Sequence, residues 1–391
     1  MLPGSRLKAE FVPPSAAQSA AALGSLDDEP AATRRLLTPD EDFAPIEPPD
    51  RSDWLATQRE AGQTYADFVL RGAQRVSQAR RLIYLQPLGE FNADSAPSLE
   101  ALRDYAEAFF QLDVVLLPAE VYESAAFEPR INPRTGKLQL RTTAILTWLR
   151  ERLPDDGFCL VAVTMNDLYP SPSWNFVFGQ AAPQQRTGVF SFARSDPLFF
   201  GEERPDDFDA LLLRRSCKTL VHEIAHLFGL AHCIYHRCVV NGSNHQAESD
   251  SRPHHACPVC LRKIQHATGA ELERRYRDLA YFFSEHTGWE DEEAWVRRQL
   301  AKLRSEPVRP WVHPRAPLPD SLRVVPPMHV PAPPLVVPPG GHDDPGVIPQ
   351  KAEPPRPAIP QPRESEPPPA DDAPPPVLTP VAATEPLVAT R

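Results

Sequence analysis

Residues 222–232 read His-Glu-Ile-Ala-His-Leu-Phe-Gly-Leu-Ala-His. On a helix, four residues at about 100° each set His222 and His226 roughly 40° apart on one face, close enough to share a metal ion. Glu223 lies beside them and can reach a water on that metal without being a ligand. Gly229 and His232 extend the pattern to five fixed positions, which lowers its chance occurrence to about one chain in ten thousand. Glycine permits the positive φ that ends a helix, so the chain can turn back and bring His232 in from another direction. Three imidazole nitrogens leave a fourth tetrahedral position open, which distinguishes a catalytic zinc from a closed one. The chemistry expected is metal-assisted amide hydrolysis, most naturally of a peptide bond. Zinc would acidify a water, and Glu223 would take its proton and pass it to the leaving amine.

A second ligand set follows at once. Cys233, Cys238, Cys257 and Cys260 stand in C-x4-C and C-x2-C pairs, a spacing suited to a zinc closed by four thiolates. This metal should be structural, pinning the loop that carries His232 onto residues 257–265, so two zinc ions per chain are expected. A finger that binds nucleic acid is the rival for the cysteines, but a net charge of −11 offers no basic face for phosphates. His236, His245, His254 and His255 read as solvated histidines near both sets. Cys159 and Cys217 read as small packing residues. Glu90, Asp167 and Tyr169 fall at strand ends without a defined role.

The elements that must hold these groups are legible from apolar patterning. Residues 81–88, 114–118 and 158–165 read as buried strands, with further strands at 175–179 and 188–193. Helices are expected at 97–112, 143–153, about 210–228 and 261–283, with a short one near Trp289–Leu300. Strands alternating with helices predict a compact α/β domain, a mixed (α+β) sheet with helices packed on it. Its expected bounds are 81–306. Residues 1–80 lack a strong pattern and read as a weakly ordered extension. Residues 307–391 hold 27 of the 48 prolines and read as a disordered tail. Within it, Lys351, Pro354 and Pro357 match a basic PxxP peptide of the SH3-binding kind, at a frequency chance alone explains. No stretch approaches the roughly 20 apolar residues of a membrane span. The N-terminus lacks a signal-peptide core, and the cysteines suit a reducing compartment, so cytoplasm or nucleus is the expected location.

Taken together, these residues resemble the archaemetzincins, metzincin-type zinc peptidases, and their eukaryotic members in particular. The likeness rests on the zinc signature through His232-Cys233 and on five further segments. These are RLIYLQPLG (81–89), DLYPSPSWNFVFGQA (167–181), GVFSFAR (188–194), LLLRRSCKTLVHEIAHLFGL (211–230) and RPHHACPVCLRKIQ (252–265). The resemblance spans about residues 80–285 and implies a metzincin-type fold, zinc metallopeptidase activity on peptide or protein substrates, and two zinc ions. It carries the catalytic ligands onto His222, His226 and His232, the base onto Glu223, and the structural zinc onto the four cysteines. The family has methionine two residues after the second cysteine, beneath the catalytic metal; here that position is Val240. This departure leaves one alternative function, a catalytically silent zinc scaffold whose tail recruits partners.

Overall fold

The structure, a computed structural model, describes residues 11–303 apart from Gly72 and Glu123. Four short helices come first: α1 (Ala16–Leu23), α2 (Ala31–Leu37), α3 (Trp54–Thr57) and α4 (Tyr65–Leu70). Then follow β1 (Leu82–Leu88), α5 (Leu99–Phe110), β2 (Val114–Leu116), β3 (Arg130–Ile131), β4 (Leu138–Arg141) and α6 (Thr142–Arg150). β5 (Gly157–Thr164), β6 (Asp167–Tyr169), β7 (Gly179–Ala182) and β8 (Thr187–Ser191) lead into the long helix α7 (Phe208–Leu227). The described chain closes with α8 (Gln246–Ser251), α9 (Pro258–Thr268), α10 (Leu272–Ser284) and α11 (Glu290–Leu303).

The main sheet has the order β2-β1-β5-β8-β7, parallel throughout except for the antiparallel edge strand β7. Every residue of β5 is buried, as expected for a strand with parallel neighbours on both sides and helices on both faces. Side chains alternate between two cores. Cys159, Val161 and Val163 face the larger one with α5, α7, α9 and α10. Leu160 and Ala162 face the smaller one with α6. A second sheet, β3-β4-β6, flanks the smaller core. The sequence-predicted α/β class is the observed one. No helix among the described residues is long and apolar enough to cross a membrane.

Three expectations change. The strand read at 175–179 begins only at Gly179, because the Asn175 carbonyl is taken by side chains instead of a ladder. Arg130 Nη2 and Asn132 Nδ2 each donate to it at 3.0 Å and Gln139 Nε2 at 2.9 Å. The helix read over 261–283 is two helices, parted at Gly269, whose φ of 72° caps α9 in the left-handed region. The N-terminal extension is packed rather than weakly ordered over residues 11–71: Leu23, Leu36, Leu37, Phe43, Ile46, Leu55 and Phe68 are all buried in the larger core. Its apolar residues are too scattered to show a period, and their burial is decided by α9 and α11 far along the chain. The proline-rich tail, with the Lys351 motif and the end of the expected domain at 304–306, lies outside the described residues.

Candidate metal centre

α7 carries two of the candidate ligands on a firmly packed helix. Its 20 residues contain no glycine or proline, and Leu220, Val221, Ile224 and Leu227 are buried in the larger core. The helix ends where predicted: Gly229 has a φ of 91°, and its N–H donates to the His226 carbonyl at 2.9 Å. Phe228 just before it stacks on Phe158 of β5, with ring centroids 4.2 Å apart. The helix end is thereby fixed to the central strand.

His222, His226 and His232 converge, with their ligand atoms within 4.8 Å of one another. In each ring Nδ1 faces an acceptor that has no proton to offer. His222 Nδ1 donates to the Val239 carbonyl at 2.8 Å, and His226 Nδ1 to the Leu230 carbonyl at 2.6 Å. His232 Nδ1 donates to the Glu60 carboxylate at 2.8 Å. The Nδ1 protons follow from these partners, which leaves Nε2 as the ligand atom of each ring and, where the ring is neutral, a bare lone pair. Burial, joined by the mutual repulsion of the rings, pushes His222 well below its usual range and His226 down to about 4. Two such lone pairs, on His222 and His226, stand 3.1 Å apart. They would repel unless a cation sat between them, and tetrahedral zinc sets its nitrogen ligands about 3.3 Å apart. The donor set fits zinc.

Glu223 sits one residue along the helix, half-buried, and burial alone pushes its carboxyl up to about 8. The wall opposite is the start of β7. A β-carbon on Gly179 would lie 3.2 Å from Glu223 Cδ and 2.9 Å from the Val189 carbonyl, so only glycine fits that close approach.

The four cysteines form the second cluster, fully buried, with their sulfurs within 4.8 Å of one another. Cys233 Sγ and Cys257 Sγ are 3.6 Å apart, far beyond a disulfide bond and close to the roughly 3.8 Å between thiolates on one zinc. Cys238 Sγ accepts the backbone N–H groups of Val240 at 3.4 Å and Cys257 at 3.3 Å. Cys257 is the N-cap of α9 and Cys260 lies in its first turn, where the helix dipole favours a thiolate. The two clusters share one turn. Val240 is fully buried and its carbonyl accepts the Cys233 N–H at 2.9 Å, while the adjoining Val239 carbonyl holds His222. This support comes from the main chain and is independent of the side chain at 240.

Other residues singled out in the sequence lie elsewhere. His236 and His254 are buried rather than solvated, and half-buried His255 stacks on Trp295 at 3.8 Å. His245 caps α8 and pairs with Asp53 at 3.3 Å. Cys159 and Cys217 are buried packing residues whose thiols burial pushes up. Asp167 is buried and bidentate to Arg194 (2.8 and 2.9 Å), Tyr169 donates to the Glu128 carbonyl at 2.6 Å, and Glu90 is exposed. Sequence reasoning missed Glu60, Trp54 and Gln63, which lie in a stretch without periodicity, so no local signal marks them.

The sequence pattern of Peptidase family M54 matches residues 139–266. Archaemetzincin-2 of Rattus norvegicus is 38% identical over 272 residues, covering 63% of this chain and 76% of that protein. The chain belongs to the archaemetzincin family. Archaemetzincin-1 of Homo sapiens is 34% identical over 270 residues, covering 62% of this chain and 54% of that protein. A solved structure of archaemetzincin from Archaeoglobus fulgidus, complexed with malonate, is 30% identical, covering 46% of this chain and 99% of that one, with a TM-score of 0.37. As an archaemetzincin, the chain is a zinc-dependent metallopeptidase acting on peptides or proteins.

Proposed function

We propose that the chain hydrolyses peptide bonds at one zinc held by His222, His226 and His232, with Glu223 as general base. A second, structural zinc is held by Cys233, Cys238, Cys257 and Cys260. The observation that carries this reading is the convergence of three histidines whose ligand atoms lie within 4.8 Å of one another while every Nδ1 is committed elsewhere. Zinc bound there supplies Lewis acidity, bringing a water's pKa toward about 7 and polarising a carbonyl oxygen. Glu223 moves the proton: its carboxylate takes it from the attacking water and delivers it to the leaving amine. Burial favours the protonated form of Glu223 and nearby positive charge favours the ionised one, so one proton can be both taken and released. The peptide backbone is held in extended form along β7, the outer strand of the sheet, whose first residue lies against Glu223. No other strand among the described residues occupies its outer edge, and an added strand is a standard way to bind an extended chain. The four cysteines hold the loop that presents His232. We take the catalytic unit to comprise residues 11–303, with the proline-rich tail appended to it.

One experiment tests these assignments together: zinc content and hydrolysis of a diverse peptide library for wild type and three variants. Wild type should hold two zinc ions. Glu223→Gln should keep both and lose at least the ~100-fold that general base catalysis contributes. His226→Ala should keep one and lose activity, and Cys257→Ser/Cys260→Ser should reduce the yield of folded protein, since structural zinc is coupled to folding. Glu223→Gln cleaving at the wild-type rate, or wild type holding a single zinc, would overturn the corresponding assignment.

A further inference from the structure

His222 and His226 are placed by α7, and their Nδ1 atoms are held by carbonyls of the adjoining chain. His232 stands on irregular chain between Gly229 and Cys238, where no helix fixes it. We propose that Glu60, on the N-terminal segment, is the positioning residue for this third ligand: its carboxylate holds the imidazole so that Nε2 faces the metal position. The proposal rests on the three-histidine reading of the zinc site.

Several contacts converge on this role. Glu60 Oε1 accepts from His232 Nδ1 at 2.8 Å and from the Trp54 indole N–H at 2.9 Å. The Trp54 ring stands edge-on to the His232 ring, with centroids 4.8 Å apart and an interplanar angle of 76°. Behind it lies Gly242, where a β-carbon would come within 2.6 Å of the indole nitrogen, so the ring has no room to retreat. Gln63, three residues after Glu60, clamps the histidine's own stretch: its Nε2 donates to the Gly229 carbonyl at 3.0 Å, and its Oε1 accepts the Ala231 N–H at 3.1 Å. Gln63 is tied in turn to α9, since Lys263 Nζ donates to its side-chain oxygen at 3.1 Å and to its carbonyl. A carboxylate on the second nitrogen of a ligating histidine fixes the tautomer and ring direction and makes the free nitrogen a better donor to metal. A segment about 170 residues upstream thus supplies to His232 what neighbouring carbonyls supply to the other two ligands.

The test is zinc binding, independent of turnover. Full-length wild type, Glu60→Gln, Glu60→Ala and His226→Ala, each with the cysteine site loaded, are titrated with zinc against a chromophoric chelator. Melting temperatures are recorded alongside. The expected result is a loss of affinity at the three-histidine site of about 10-fold for Glu60→Gln and nearer 100-fold for Glu60→Ala, with the cysteine-bound zinc equally retained. Glu60→Gln keeps the shape and an acceptor oxygen, so it reports even where Glu60→Ala fails to fold. A lowered melting temperature with wild-type zinc affinity in the folded variants would make Glu60 merely structural and overturn the proposal. Wild type binding no more zinc than His226→Ala would instead overturn the three-histidine site, and the proposal with it.

Discussion

Gly229 is the residue on which the geometry of the candidate site turns. Its φ of 91° lies where L side chains are strained, yet the space around it is open: an added β-carbon would meet nothing closer than 3.7 Å. The cost of Gly229→Ala is therefore conformational rather than steric, about 1–2 kcal/mol. Denaturant unfolding of the zinc-loaded protein should show that loss, and Gly229→Asn should show a smaller one, because asparagine visits the left-handed region more readily. Equal stability of wild type and Gly229→Ala would mean the turn relaxes without strain. Val240 illustrates the opposite case at the same scale. Its family position calls for methionine, but the bonds that steady His222 and Cys233 come from the main chain of this turn.

Among the elements, β6 and the wall it supports depend on one buried ion pair. Arg194 and Asp167 are bonded bidentately with their side chains only 5% and 1% exposed. The guanidinium also lies 3.4 Å over the Phe176 ring, next to the strand that faces Glu223. Arg194→Met should cost about 3–5 kcal/mol, because it leaves a buried carboxylate without its partner. Pairing it with Asp167→Asn should restore much of that loss. Urea unfolding of the single and double variants checks this, and additive losses would show that the two charges are not coupled. The sequence discloses elements of this kind unevenly. β1, β5 and α7 are legible because their apolar runs are long and regular, and the seven candidate metal ligands because their spacing is local. The irregular path of 175–178 is not, since the side chains that capture the Asn175 carbonyl come from β3, β4 and the turn between them. Nor is the Glu60–His232 bond, whose partners share no pattern and are neighbours only in space.

At the scale of the whole molecule, the N-terminal helices pack into the larger core. Leu23, Leu36, Leu37, Phe43, Ile46, Leu55 and Phe68 are each at most 6% exposed. At about 1.5–3 kcal/mol per large apolar side chain, their burial contributes on the order of 10–20 kcal/mol before entropy is counted. That matches or exceeds the net stability of a typical domain, about 5–15 kcal/mol. Deleting residues 1–71 should therefore abolish soluble, zinc-loaded protein. Deleting residues 310–391 should leave melting temperature and zinc content unchanged, because a segment so rich in proline has little to bury. Calorimetry and metal analysis of the two truncations check this, and a stable N-terminal truncation would contradict it.

The bond between Glu60 and His232 spans 172 positions, and on a ribosome distance along the chain is time. At about 5–20 residues per second, roughly 10–30 s separate the synthesis of the carboxylate from that of the imidazole it holds. Through that interval Leu36, Leu37 and Phe43 have no α9 or α11 to cover them. These residues are therefore made well before the helices that bury them. His232 meets Glu60 only once this upstream segment docks.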